Sequence, residues 1–214
     1  MEIKLDAPKL VYGVGINDAD YAVTEWETIE VNGKQKRRLV WMCPYYRVWV
    51  CMLQRCYSSK FQDKKPTYKG CSVSEEWWRF SNFRAWMADQ DFEGMQLDKD
   101  LLSEGNKVYS KETCVFVTQM VNKFTNDRGN DRGEWLIGVN WHKGAGKFMS
   151  QCSNPFTKKG EHLGYFLCEK EAHQAWLKRK LELATLLAAE QTDERVAKAL
   201  IERYTNYSNR GENK

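Results

Sequence analysis

Hydrophobic and polar residues alternate across residues 20–42. In "YAVTEWETIEVNGKQKRRLVW" two β-type runs flank Asn32-Gly33. Strand-like alternation around that dipeptide predicts a β-hairpin. The period changes after Pro44. In "YYRVWVCMLQRCY", residues Tyr45, Trp49, Met52, Leu53 and Cys56 recur at helical spacing. This predicts a helix with one buried stripe and with Arg47 and Arg55 towards its polar side. The polar, basic stretch "SSKFQDKKPTYKG" (58–70) reads as a loop. Ser74 followed by Glu75 and Glu76 reads as a helix start, with acids in the positive first turn. The following "EEWWRFSNFRAWMADQ" repeats aromatics at 77, 80, 83 and 86, which predicts a core-facing stripe with Trp78 off it.

Residues 125–134, "TNDRGNDRGE", are polar and glycine-containing and read as a linker. Three short candidate strands follow: "WLIGVNWHK", "KFMSQCSN" and "EHLGYFL", joined by turns in "KGAGK" and "NPFTKKG". A helix is predicted from about Glu169, with Ala172, Ala175, Trp176 and Leu183 turned to the sheet. "DERVAKALIERY" predicts a last helix capped by Asp193, and "TNYSNRGENK" a frayed tail. The class is α+β. The expected organisation is a mixed domain over 1–124, the linker at 125–134, a sheet-and-helix module over 135–182, and C-terminal helices and tail over 183–214.

Composition narrows the classes. The 214 residues are 42% hydrophobic and 13% aromatic, with nine Trp, which is enough for a packed core. No run of 18 apolar residues exists, so no membrane span is expected. "MEIKLDAPKL" has no basic stretch leading into an apolar one, so no secretory signal is read and the expected location is the cytoplasm. The seven Cys include no CxxC pair and read as free thiols. Cys43, Cys51, Cys56 and Cys71 share a region, but their spacing matches no standard zinc knuckle.

The net charge of +4 conceals segregation. Residues 31–70 hold ten Lys or Arg and one acid, residues 71–104 eight acids and three bases, and residues 128–180 ten bases and five acids. Two basic blocks around an acidic one suit a protein that grips phosphates and holds a cation between them; solvated surface charge is the plainer alternative.

"IGVNWHKGAGKFMSQCS" and "EHLGYFLCEKEAHQAW" resemble an AP2 DNA-binding domain of the phage type. The residues that carry the likeness are Gly138-Val139, Lys147-Phe148, Leu163 to Phe166, and the helix that opens at Glu169. The resemblance implies a three-stranded sheet in the major groove of double-stranded DNA, backed by the helix. By the family's contact positions the outward set is Asn140, His142, Lys147, Phe148, Gln151, Ser153, His162 and Tyr165, with Lys158 and Lys159 on phosphates. Plant members carry an arginine-rich face here, whereas this chain has Asn140, His142 and Gln151, so a sequence preference does not carry over.

Residues 92–124, with "LDKD" at 97–100 and Asn122 near the end, resemble the HNH ββα-metal motif that stands beside AP2 modules in phage homing-type endonucleases. "YYRVWVCMLQRCY" and "EEWWRFSNFRAW" resemble the segment before it. The resemblance implies Asp98 at the metal position, Lys99 at the general-base position, Thr113 at the middle position and Asn122 as the final ligand. Magnesium or another divalent ion would then sit on Asp98 and Asn122. A histidine normally supplies the base. Lysine, with an ordinary pKa near 10.4, holds its proton at neutral pH, and Asp98 and Asp100 on either side favour the charged form. The functions open from sequence are a degenerate metal-dependent DNA endonuclease or nickase, a non-catalytic phage DNA-binding regulator, or an inhibitor of a host defence system that contacts a host protein.

Overall fold

The computed structural model describes residues 10–126 and 134–207. These form a mixed α+β structure with nine strands and six α-helices among the described residues. Their contacts divide into two compact units, Met1–Glu93 with Ser103–Phe116, and Gly94–Leu102 with Val117–Lys214.

In the first unit, β1 (Thr24–Val31) and β2 (Lys34–Met42) form the expected antiparallel hairpin. Asn32 and Gly33 both have positive φ, 55° and 71°, as a tight two-residue turn requires. Glu25 pairs with Trp41 but Trp26 with Leu39, so Val40 is an extra residue on β2. Helix α1 (Pro44–Tyr57) starts on its proline and buries Trp49, Met52, Leu53 and Cys56 as its spacing predicts. Arg47 is exposed, but Arg55 is half-buried, against expectation. Its guanidinium lies 5.7 Å from the Tyr68 ring centroid and bonds to Tyr109, whose hydroxyl burial pushes well above the usual tyrosine range.

The predicted loop at 58–70 contains a short helix, α2 (Ser59–Lys64), and a 3-10 turn at Pro66–Tyr68. Ser58 starts α2 by accepting a bond from Phe61 N, and Gln62 Nε2 ties the segment to the Cys56 carbonyl at 2.7 Å. Such local polar bonds leave no apolar period to read. β3 (Ser72–Val73) pairs in parallel with β5 (Val108–Tyr109). The helix start expected at Ser74 is instead a 3-10 turn, Glu75–Trp78, and the α-helix α3 (Phe80–Ala88) begins only after an extended Arg79. The break has a cause: Ile16 N bonds to Trp78 O and Phe80 N to Ile16 O, so Arg79 is held as a strand residue. The aromatic stripe survives it. Trp77, Phe80 and Phe83 are fully buried, and Trp49 Nε1 donates to the Trp77 carbonyl at 2.7 Å.

The second unit opens with β4 (Gln96–Asp98). Along the chain, the division between the units falls within β6 (Val115–Val117). Helix α4 (Gln119–Thr125) follows at once, capped by Thr118, whose Oγ1 accepts from Val121 N. Strands β7 (Val139–His142), β8 (Lys147–Ser153) and β9 (Gly160–Phe166) make an antiparallel sheet in that order. Helix α5 (Glu169–Ala189) packs on it, burying Ala172, Trp176 and Leu183, with Ala175 half-buried. Helix α6 (Glu194–Thr205) packs on α5 through Val196, Leu200 and Tyr204, and Asp193 caps it by accepting from Arg195 N.

Two observations bear on the expected boundaries. Helix α5 runs unbroken through residue 183, so no boundary falls there. Helix α4 groups with the C-terminal elements, because the Phe124 carbonyl accepts bonds from Lys180 Nζ at 2.7 Å and from Tyr204 Oη at 3.1 Å. The expected linker lies mostly outside the described residues, as does most of the tail. No described helix is long and apolar enough to cross a membrane, and the cysteines form no disulfide.

Candidate functional site

Strand register decides which side chains share the open face of the β7–β9 sheet. Side chains alternate along a strand, and directly paired residues lie on the same face. Val139 and Ser150 pair and are buried on the α5 side. One residue on, Asn140 pairs with Met149, and Met149 with Tyr165; His142 pairs with Lys147. The register shifts after Ser150: it pairs with Gly164, whereas Gln151 pairs with His162, leaving Leu163 over as a bulge. The shift keeps Gln151 and His162 on the open face. Asn140, His142, Lys147, Gln151, Ser153, His162 and Tyr165 are all exposed.

The rings on this face form a row. His142 and Tyr165 have centroids 5.2 Å apart and His162 and Tyr165 4.7 Å, so a tyrosine ring separates the two histidines. His142 Nδ1 also accepts from Ala145 N at 3.1 Å, fixing the ring against the β7–β8 turn. Lys158, at φ 58°, and Lys159 are exposed in the β8–β9 turn.

Phe148 departs from the expected set. It pairs with Trp141 and Phe166 on the opposite face, and packs edge-on against Trp135 and Trp141 at centroid distances of 5.1 and 4.9 Å. Neighbouring residues of a strand cannot both face outward, so Lys147 and Phe148 could not both belong. Met149 holds the place between Asn140 and Tyr165. Strict alternation from Lys147 was the signal that would have found it.

Polar bonds brace the sheet beneath the turn. Glu161 accepts from Arg179 Nε at 2.7 Å and from Asn154 Nδ2 at 2.7 Å. These partners, Arg179 first, pull its carboxyl down to about 2. Asn154 Oδ1 accepts from Phe156 N and Thr157 N, which shapes the turn that presents Lys158 and Lys159.

The residues expected to hold a metal are engaged otherwise. Asp98 Oδ1 accepts from the backbone N–H of Asp100 and of Leu101, both at 2.8 Å, and so caps the turn after β4. Lys99 is buried, 6% exposed, and its ammonium pairs with the Asp100 carboxylate. Asn122 Nδ2 donates to Gln96 Oε1 at 2.5 Å. Thr113 belongs to the first unit, where its Oγ1 donates to the Val108 carbonyl at 2.8 Å and braces the turn before β6. Magnesium takes near-octahedral oxygen ligands. The bonds above use one Asp98 oxygen and the Asn122 nitrogen, and the buried Lys99 ammonium supplies no metal ligand. Among the described residues, no three His, Cys, Asp or Glu come together as a metal-binding cluster.

No protein-family model, curated protein or solved structure matches the chain.

Proposed function

We propose that the protein binds double-stranded DNA through the open face of β7–β9 and does not hydrolyse it. One observation carries the reading: a three-stranded sheet, backed by a helix, exposes Asn140, His142, Lys147, Gln151, Ser153, His162 and Tyr165 on one face. A narrow ribbon of this kind fits a major groove about 12 Å wide. Asn140 and Gln151 can bond adenine in two places, Lys147 can reach guanine or phosphate, and Lys158 and Lys159 reach the backbone. The resemblance to phage AP2 modules supports the same use of these strands. Hydrolysis is disfavoured in this reading because the position at which the resemblance expects a general base holds a lysine, buried against the Asp100 carboxylate. A regulator that occupies DNA without cutting it is the setting this reading suggests.

The test combines two assays on the full chain. Supercoiled plasmid is incubated with the protein in magnesium or manganese, and a labelled duplex is titrated by anisotropy. Salt-sensitive binding with no nicking is expected. Nicking abolished by Asp98→Ala would restore the nuclease reading, and no duplex binding at low salt would remove both. A host protein would then be the partner to seek.

A further inference from the structure

A cleft of about 1060 Å³ opens in the second unit between α4 and the β7–β8 side of the sheet. It is lined by open-face residues, Asn140, Gln151 and Ser153, and by Lys123 of α4 and Lys158 of the β8–β9 turn. Lys180 also lines it, holding the Phe124 carbonyl. Among the described lining residues there is no aspartate or glutamate. An acid-free cleft with lysines on both walls, in a unit where carboxylates are common elsewhere, is complementary to a polyanion. Gln119 and Asn126, also on its α4 wall, add amide donors.

We infer that this cleft takes the sugar–phosphate backbone of one DNA strand as it leaves the sheet, with Lys123 as a phosphate contact. The inference rests on the proposed duplex binding. Continuity supports it, because Asn140, Gln151 and Ser153 belong both to the sheet face and to the cleft. Lys123 is exposed and has no carboxylate partner among the described residues. Helix α4, the element that would carry a metal ligand in an HNH nuclease, here serves as a backbone clamp. The Lys180 and Tyr204 bonds to Phe124 fix it against α5 and α6.

Each phosphate contact contributes about 0.9 to the slope of log Kobs against log salt. The experiment therefore titrates a labelled duplex with the full-length protein at several salt concentrations, for wild type, Lys123→Gln, Lys123→Arg and Lys198→Gln. Lys198 lies on α6 outside the cleft. Lys123→Gln is expected to reduce the slope by about 0.9 and to weaken specific and non-specific duplexes alike. Lys123→Arg should keep the slope, and Lys198→Gln should not change it. Circular dichroism of each variant establishes that it is folded. Wild-type binding with an unchanged Lys123→Gln slope would overturn the clamp while leaving the sheet's role standing. Absence of wild-type binding would overturn both.

Discussion

Gly138→Ala tests the packing that holds the β7–β9 sheet on α5. Gly138 has φ 79°, and a Cβ there would meet Trp176 Cδ1 and Cγ at 2.1 Å and Trp176 Cβ at 2.8 Å. These are atoms near the root of the side chain, so Trp176 cannot swing aside without moving α5. Trp176 is also confined by the stacked His173 ring, at a centroid distance of 5.4 Å, and by Tyr204. Left-handed backbone costs a non-glycine residue about 1–2 kcal/mol. Overpacking of a tight site adds about 1–3 kcal/mol, and alanine returns about 0.4–1 kcal/mol through the unfolded chain. The net loss is therefore about 1–5 kcal/mol, centred on about 3. Gly146→Ala is the internal control: its φ is 60°, but an added Cβ meets nothing within 4 Å. That change should cost about 1 kcal/mol, from strain alone. Urea unfolding followed by circular dichroism gives both values. Equal losses in the two variants would mean that Trp176 does not sit on Gly138, and the account of this sheet's support would fail.

Lys180→Met removes a charge-assisted bond to the Phe124 carbonyl and a cation 3.5 Å from the Phe124 ring centroid. A loss of about 1–3 kcal/mol in urea unfolding is expected, and a gain would show that burying this charge costs more than its partners return. Glu161 has a carboxyl held low, at about 2, by Arg179 and Asn154, so its contribution is complete above the unfolded value near 4.3 and is lost as pH falls from there towards 2. Wild type should thus lose more stability between pH 6 and pH 3 than Glu161→Gln does; parallel losses would remove the ion pair from the account. Asp98→Asn keeps the oxygen that accepts from Asp100 N and Leu101 N, whereas Asp98→Ala loses it. By analogy with helix caps, the alanine variant should be less stable by about 0.5–2 kcal/mol and the asparagine variant close to wild type. Magnesium-dependent stabilisation of wild type that Asp98→Asn removes would instead mark a metal ligand.

Legibility in the sequence followed the strength of the local period. The hairpin could be read from its Asn32-Gly33 turn, the α1 helix from its apolar stripe, and the three strands before α5 from short β-type runs separated by turn residues. The segments at 58–70 and 74–79 could not, since their form is set by single polar bonds: Gln62 to the α1 carbonyls, and Ile16 to the backbone around Arg79. The site divided in the same way. Seven of the eight strand residues expected on the open face share it, and Phe148, next to the outward Lys147, faces the other way as strand alternation requires. The burial of Lys99 left no trace in sequence, because a lysine between two aspartates reads as solvated. Its seclusion and the turn that Asp98 caps became visible only in the fold.

The most direct measurement is a comparison of wild type with Gln151→Ala on a duplex selected by the wild-type protein from a random pool, beside an unrelated duplex of equal length. A base-reading side chain is worth about 1–3 kcal/mol of discrimination, a loss of roughly 5- to 150-fold in affinity on the selected duplex and little on the other. That asymmetry is the predicted result. No selectable duplex, or equal weakening on both, would contradict a sheet that reads DNA through its open face.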